Sequence, residues 1–211
     1  MPIGGETTGK KIIYVDIAFA KAKFYYKTNE NDPNGEAHTI SMGVNKGKVS
    51  HRRHFGEFSG SFVGASDKST QFGYKYVFNL EDEENIFSLS IDAEDYNARN
   101  IALKLMNVEK GANAKFKIAS LKGNDGKDRL TIMLYVNGEK TVHGLPKDEV
   151  PIPIKKETRQ GTTYIYDEVF DFFSDNVFTK VVPLSFGNST SNVVAETIPA
   201  EATQEGGDLP F

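Results

Sequence analysis

Apolar and polar positions alternate with a period of two through most of the first 136 residues, with turn-forming clusters between the runs, and this predicts a mainly β protein. Ile12 to Tyr26 carries Ile13, Val15, Ile17 and Phe19 on one face and continues through Lys21, Lys23 and Tyr25, a length that requires a bend or bulge. A turn-rich loop follows, Thr28-Asn-Glu-Asn-Asp-Pro-Asn-Gly35. Val49 to Phe55 and Gly60 to Ala65 read as one broken strand, and Gly56, Gly60 and Gly64 predict the sharp curvature of a small barrel. Gln71 to Leu80 sets Phe72, Tyr74, Tyr76, Phe78 and Leu80 on one side and Lys75, Val77 and Asn79 on the other. Asn85 to Ile91 pairs with it across an acidic turn and buries Phe87, Leu89 and Ile91.

Helical spacing then replaces the alternation. Asp92 is the expected N-cap, with Asp95 three positions on, and Ala98, Ile101, Ala102, Leu105 and Met106 form the apolar stripe of a helix ending near Gly111. Ala114 to Leu121 and Arg129 to Val136 flank Gly123-Asn-Asp-Gly-Lys127 as a hairpin. Three strands or their extension, one helix and two more strands is the order of an OB-fold, a five-stranded Greek-key barrel. A β-sandwich with an incidental helix is the alternative architecture. Pro146, Pro151 and Pro153 mark an extension in which Tyr164 to Phe173 forms a short strand or helix, with Tyr164, Tyr166, Phe170, Phe172 and Phe173 expected on the barrel. From Gly187 the composition turns to Asn, Ser, Thr, Ala, Glu and Gly, too polar to offset the entropy of ordering. The organisation expected is therefore a domain over 1–186, with an extension at 137–186, and a disordered acidic tail over 187–211.

The chain has 211 residues, enough for a core that needs no staples, and its lack of Cys excludes disulfides, thiolate zinc sites and a cysteine nucleophile. Neither a signal peptide nor an apolar run long enough for a bilayer is present, so a cytoplasmic protein without membrane contact is expected. The net charge of -4 hides a segregation. Residues 194–211 hold Glu196, Glu201, Glu205 and Asp208 without a base, and residues 21–55 are locally basic.

Enzyme sites fail on residue type or spacing. His51 and His54 stand three apart, which on a strand turns them to opposite faces, and neither remaining histidine supplies a third metal ligand. Gly43-Val-Asn-Lys-Gly47-Lys48-Val49 is one residue short of a phosphate loop and lacks its Ser or Thr. Glu30 to Gly35 imitates the start of a calcium loop, but Ser41 occupies the bidentate Glu position. Glu81 to Glu84, the only run that could serve a metal-dependent nuclease, reads as a solvated turn. No cofactor, metal or catalytic residue is expected.

Basic and aromatic residues interleave instead on neighbouring strands, the combination that single-stranded nucleic acid needs for phosphates and for stacked bases. The candidates are Lys21, Lys23, Tyr25 and Tyr26 on the first strand, Lys48, Arg52, Arg53 and Phe55 on the second, and Tyr74, Lys75 and Tyr76 on the third. Each of these aromatics is also an ordinary strand core residue, and Phe72 and Phe78 are assigned to the core.

The chain ends Gln204-Glu-Gly-Gly-Asp208-Leu209-Pro210-Phe211. This resembles the acidic tip of the bacterial and phage single-stranded DNA-binding proteins, in which a disordered linker ends in acids, then Ile or Leu, Pro and Phe. Gly60-Ser-Phe-Val-Gly64, the strand from Phe72 to Phe78, and the helix followed by a hairpin give the body a looser resemblance to phage members. The resemblance implies a non-enzymatic protein that binds single-stranded DNA without sequence preference in the cytoplasm of a bacterial host. It also implies that Asp208, Leu209, Pro210 and Phe211 recruit replication, recombination and repair proteins by carboxylate capture. Homo-oligomers occur in that family. Two departures stand out: there is no Trp for stacking, and Asp208 is a lone acid behind two glycines. The rival reading is a phage β-sandwich protein with a structural or interaction role and no DNA binding.

Overall fold

The long run that the sequence breaks at Gly56 organises the molecule. The computed structural model describes residues 9–184 apart from Met42, Phe72, Asn124, Asp125 and Gln160. In chain order the strands are β1 (Lys11–Ala18), β2 (Lys23–Thr28), β3 (Glu36–Thr39), β4 (Val49–Phe55), β5 (Glu57–Thr70), β6 (Gly73–Glu81), β7 (Asn85–Asp92), β8 (Asn113–Lys122), β9 (Asp128–Val136), β10 (Glu139–Lys140), β11 (Ile154–Thr158) and β12 (Gly161–Ile165). Helices α1 (Tyr96–Leu105) and α2 (Asp167–Phe172) complete the regular structure, α2 running on as a π-helical turn over Phe173–Phe178.

The protein is mainly β. Ten strands form one sheet in the order β10-β9-β8-β5-β6-β7-β1-β2-β4-β3, and β11 and β12 form a separate pair. Since β4 passes into β5 through Gly56 alone, the pairings β7-β1, β1-β2, β2-β4, β5-β6 and β6-β7 return to their start, and the sheet is rolled on itself. The 14-residue β5 makes this possible by pairing with β8 through Glu57–Ser61 and with β6 through Ser61–Thr70, with an irregularity between Phe62 and Gly64. Its glycines are where the backbone crowds. A Cβ on Gly60 would lie 2.5 Å from the Glu81 carbonyl oxygen, and one on Gly64 would lie 2.8 Å from that of Val182.

Phe24, Phe58, Phe78, Leu89 and Phe116 are buried within this roll. Asn97 fastens α1 to it: its amide accepts from the Ile132 N–H at 2.9 Å and donates to the Leu130 carbonyl at 3.2 Å, satisfying backbone groups of β9 that no strand pairs.

Several expectations are corrected. The sheet has ten strands rather than five: Ile12 to Tyr26 is a hairpin and not one bent strand, Val49 to Ala65 divides at Gly56 into β4 and β5, and β3 and β10 add two short strands. Phe19–Lys21 form a 3-10 turn, and Ala22 closes it in the left-handed region at φ 47°. Among the described residues there are two α-helices, not one. Asp95, not Asp92, caps α1, accepting from the Asn97 N–H at 2.7 Å, since Asp92 still belongs to β7 opposite Lys75. The helix ends at Leu105, short of Gly111. Tyr164 and Ile165 end an exposed strand, so Tyr164 leaves the barrel uncovered, whereas Tyr166, Phe170, Phe172 and Phe173 pack on the core. Phe72 and the tail from 187 onward, with Asp208 to Phe211, lie outside the described residues.

Candidate nucleic-acid interface

Residues paired directly across two antiparallel strands share a face. In β2 and β4 the pairs are Phe24 with Phe55, Tyr25 with His54, Tyr26 with Arg53 and Lys27 with Arg52. Tyr25, Lys27, Arg52 and His54, with Lys23, therefore lie on one face, and Tyr26, Arg53 and Phe55 on the other. The register divides the expected cluster into two.

On the first face the Arg52 guanidinium carbon lies 4.4 Å from the centre of the Tyr25 ring, a cation–π contact that already covers one side of that ring. Burial raises the Tyr25 phenol above its usual pKa, helped by the Asp16 carboxylate against it and opposed by Arg52. The His54 ring lies tilted against Tyr25 at 5.8 Å, and its Nδ1 is 3.6 Å from Glu36 Oε2. Burial, followed by the charge of Lys21, lowers the His54 pKa, so the imidazole is neutral at pH 7. Lys21 is engaged with the Glu36 carboxylate, and Lys48 is exposed where the β3–β4 loop enters β4.

The opposite face runs into the core. Phe55 packs 5.9 Å from both Phe24 and Phe58, so it supports the barrel rather than presenting a free ring. Tyr26 leans on Phe55 at 5.8 Å and remains half-buried, with Arg53 exposed beside it.

Beyond the Asp16–Tyr25 pair, β1 and β2 diverge: β1 continues along β7 and β2 along β4. The fork holds a groove of about 620 Å³ lined by Lys11, Ile12, Ile13, Tyr14, Asp16, Tyr26, Lys27, Thr28 and Asn29. Tyr14 is 72% exposed at its wall, an aromatic on the solvent side of a strand whose Val15 is buried. Lys11, Lys27, Tyr14, Tyr26, Ile12 and Ile13 thus line the fork together with one acid, Asp16, which Tyr25 already engages. Such a groove can take a planar, partly apolar group flanked by anionic ones.

The third set of expected residues lies elsewhere. Tyr74 is opposite Ser69, at the far end of β5 from Phe55, and stacks on Phe170 of α2 at 4.9 Å while staying 43% exposed. Lys75 forms an ion pair with Asp92 at 2.6 Å. Tyr76 is 1% exposed between Phe173 and Phe178, so it belongs to the core and offers no face to a base. The structure joins Tyr26 to the fork groove, with Arg53 paired beside it, and leaves Tyr74, Lys75 and Tyr76 apart. Sequence reasoning missed Tyr14, Lys11 and Lys27 as site residues; the signal was an aromatic out of step with Ile13, Val15 and Ile17.

Comparison with protein-family models, with curated proteins and with solved structures finds no match to this chain.

Proposed function

We propose that the protein binds single-stranded DNA without sequence specificity and is not an enzyme. The fork groove carries the reading, because it combines Tyr14 and Tyr26 with Lys11 and Lys27 beside the Arg52-Arg53 strand. A strand of DNA needs those two chemistries together, a π-face for each unstacked base and a cation near each phosphate. In this reading β5, β6, β7, α1, β8 and β9 are the succession of an OB barrel, and the segment from β1 to β4 is an addition that supplies the groove. The tip Asp208 to Phe211 recruits replication, recombination and repair proteins in the cytoplasm of a bacterial host, and copies of the chain are free to assemble on one strand.

The test is an anisotropy titration with oligonucleotides, single-stranded against duplex, with and without magnesium. Tighter single-strand binding, no cleavage, and a fall of log K with log salt of ~0.7 per neutralised phosphate are expected. A salt-independent affinity, no binding, or cleavage in magnesium would each reject the proposal. Deleting Asp208 to Phe211 is expected to leave DNA affinity intact and to abolish capture of DNA-processing proteins from nuclease-treated host lysate. Equal capture by the truncated chain would remove the role given to the tip.

A further inference from the structure

β11 and β12 pair only with each other, from Ile154 opposite Ile165 to Thr158 opposite Gly161, and all their residues are exposed. A lone two-stranded hairpin is marginally stable in water, since it fixes its backbone without burying a face. Its residues nevertheless suit a ligand. Lys155, Lys156 and Arg159 stand against the single acid Glu157, which holds Lys155 at 2.6 Å. Tyr164, directly across from Lys155, is 53% exposed.

A second copy of the hairpin is a poor occupant, because two-fold pairing along β11 would bring the cations of both copies onto adjacent strands, and like charges across strands are destabilising. A polyanion with aromatic groups is a good one. We infer that the β11–β12 hairpin is an arm that contacts single-stranded DNA, Lys155 on the Tyr164 face and Arg159 by the turn taking phosphates and Tyr164 taking a base. The inference rests on the proposed function but assigns it a second contact surface, on a segment that the barrel does not support.

The full chain is compared with a Lys155→Ala/Lys156→Ala/Arg159→Ala variant and with Tyr164→Ala, using a fluorescent oligothymidylate. The triple variant is expected to reduce the magnitude of the slope of log K against log salt by about 1.4 to 2, two to three phosphate contacts at ~0.7 each. Tyr164→Ala is expected to weaken binding about 5-fold or more at fixed salt, one stacked base. Thermal unfolding of both is expected to match the parent, because the arm is exposed throughout. If the parent binds and both variants keep its affinity and slope, the arm is idle and only this inference falls. Failure of the parent to bind would overturn both readings. Unchanged DNA affinity together with a shift from dimer to monomer by light scattering would make the arm a subunit contact and overturn the inference.

Discussion

Tyr76 separates a core role from a DNA-binding role in one position. Its ring stacks 5.5 Å from Phe173 and meets Phe178 edge-on at 4.7 Å, and its hydroxyl is buried with no hydrogen-bond partner among the described residues. Burial pushes the phenol pKa far above the usual tyrosine value, so it stays protonated throughout the working range. Leaving such a group unsatisfied costs ~1 to 3 kcal/mol, and Tyr76→Phe removes the hydroxyl while keeping the ring. The variant is expected to gain about 1 kcal/mol, which for a chain of this size raises Tm by about 2 to 4 °C. Tyr76→Ala removes the ring as well and is expected to cost ~3 to 5 kcal/mol, as other buried aromatic truncations do. That is a large share of the ~5 to 15 kcal/mol that holds a domain folded.

Urea denaturation gives both values, and anisotropy titrations on the same samples give DNA affinity. Opposite signs of stability change with unchanged affinity in the Phe variant are the expected pattern. Loss of stability in Tyr76→Phe would show that the hydroxyl has a partner. A well-folded Tyr76→Phe with weaker DNA binding would return Tyr76 to the interface and refute the argument from burial.

Tyr14→Ala is expected to weaken single-strand binding by ~1 to 3 kcal/mol with little change in Tm, because the ring is largely in solvent; equal affinity in a titration would remove Tyr14 from the groove. Gly60→Ala is expected to cost ~1 to 3 kcal/mol in urea denaturation, since the new Cβ would meet a backbone oxygen that has no room to yield. His54 and His143 both have pKa values lowered, first by burial and then by neighbouring lysines. The unfolded chain therefore takes up protons first, and stability present above the unfolded value of ~6.5 is lost as pH falls through it toward the folded values. A His54→Gln/His143→Gln variant should flatten Tm between pH 7 and 5.5 relative to the parent.

The curvature at Gly56, Gly60 and Gly64 was legible in the sequence, because glycine at strand positions marks backbone crowding, and the contacts at Gly60 and Gly64 are of that kind. So was the core side of the third strand at Phe78, which is buried as expected, whereas Tyr76, of the same parity and expected at the interface, is buried too. The covering of Tyr76 was not legible, since Phe173 and Phe178 reach it from almost a hundred residues away. The break between β1 and β2 was hidden for a different reason. The odd positions run on from Ile13, Val15, Ile17 and Phe19 into Lys21, Lys23 and Tyr25, and the turn is made by Ala22 in a left-handed conformation that alanine rarely adopts, with no glycine or proline to announce it. Phe24 consequently faces inward, Tyr25 turns outward to Arg52, and the expected site divides by parity.

The same geometry explains how a chain with a net charge of -4 can present a surface suited to a polyanion. At physiological salt charges beyond ~8 Å are largely screened, so the local inventory decides. Many carboxylates are already occupied: Glu36 by Lys21, Glu81 by Lys10, Asp92 by Lys75 and Glu157 by Lys155. Lys11, Lys23, Lys27 and Arg53 form no ion pair among the described residues, and two of them, Lys11 and Lys27, line the fork where β1 leaves β2. Asp16, the acid lining that fork, lies against the Tyr25 phenol. Asp16→Asn would thus remove the nearest repulsion to phosphate while leaving an amide in its place, and it is expected to tighten single-strand binding and steepen its salt dependence. Weaker binding in a folded Asp16→Asn protein would place the DNA path away from the fork.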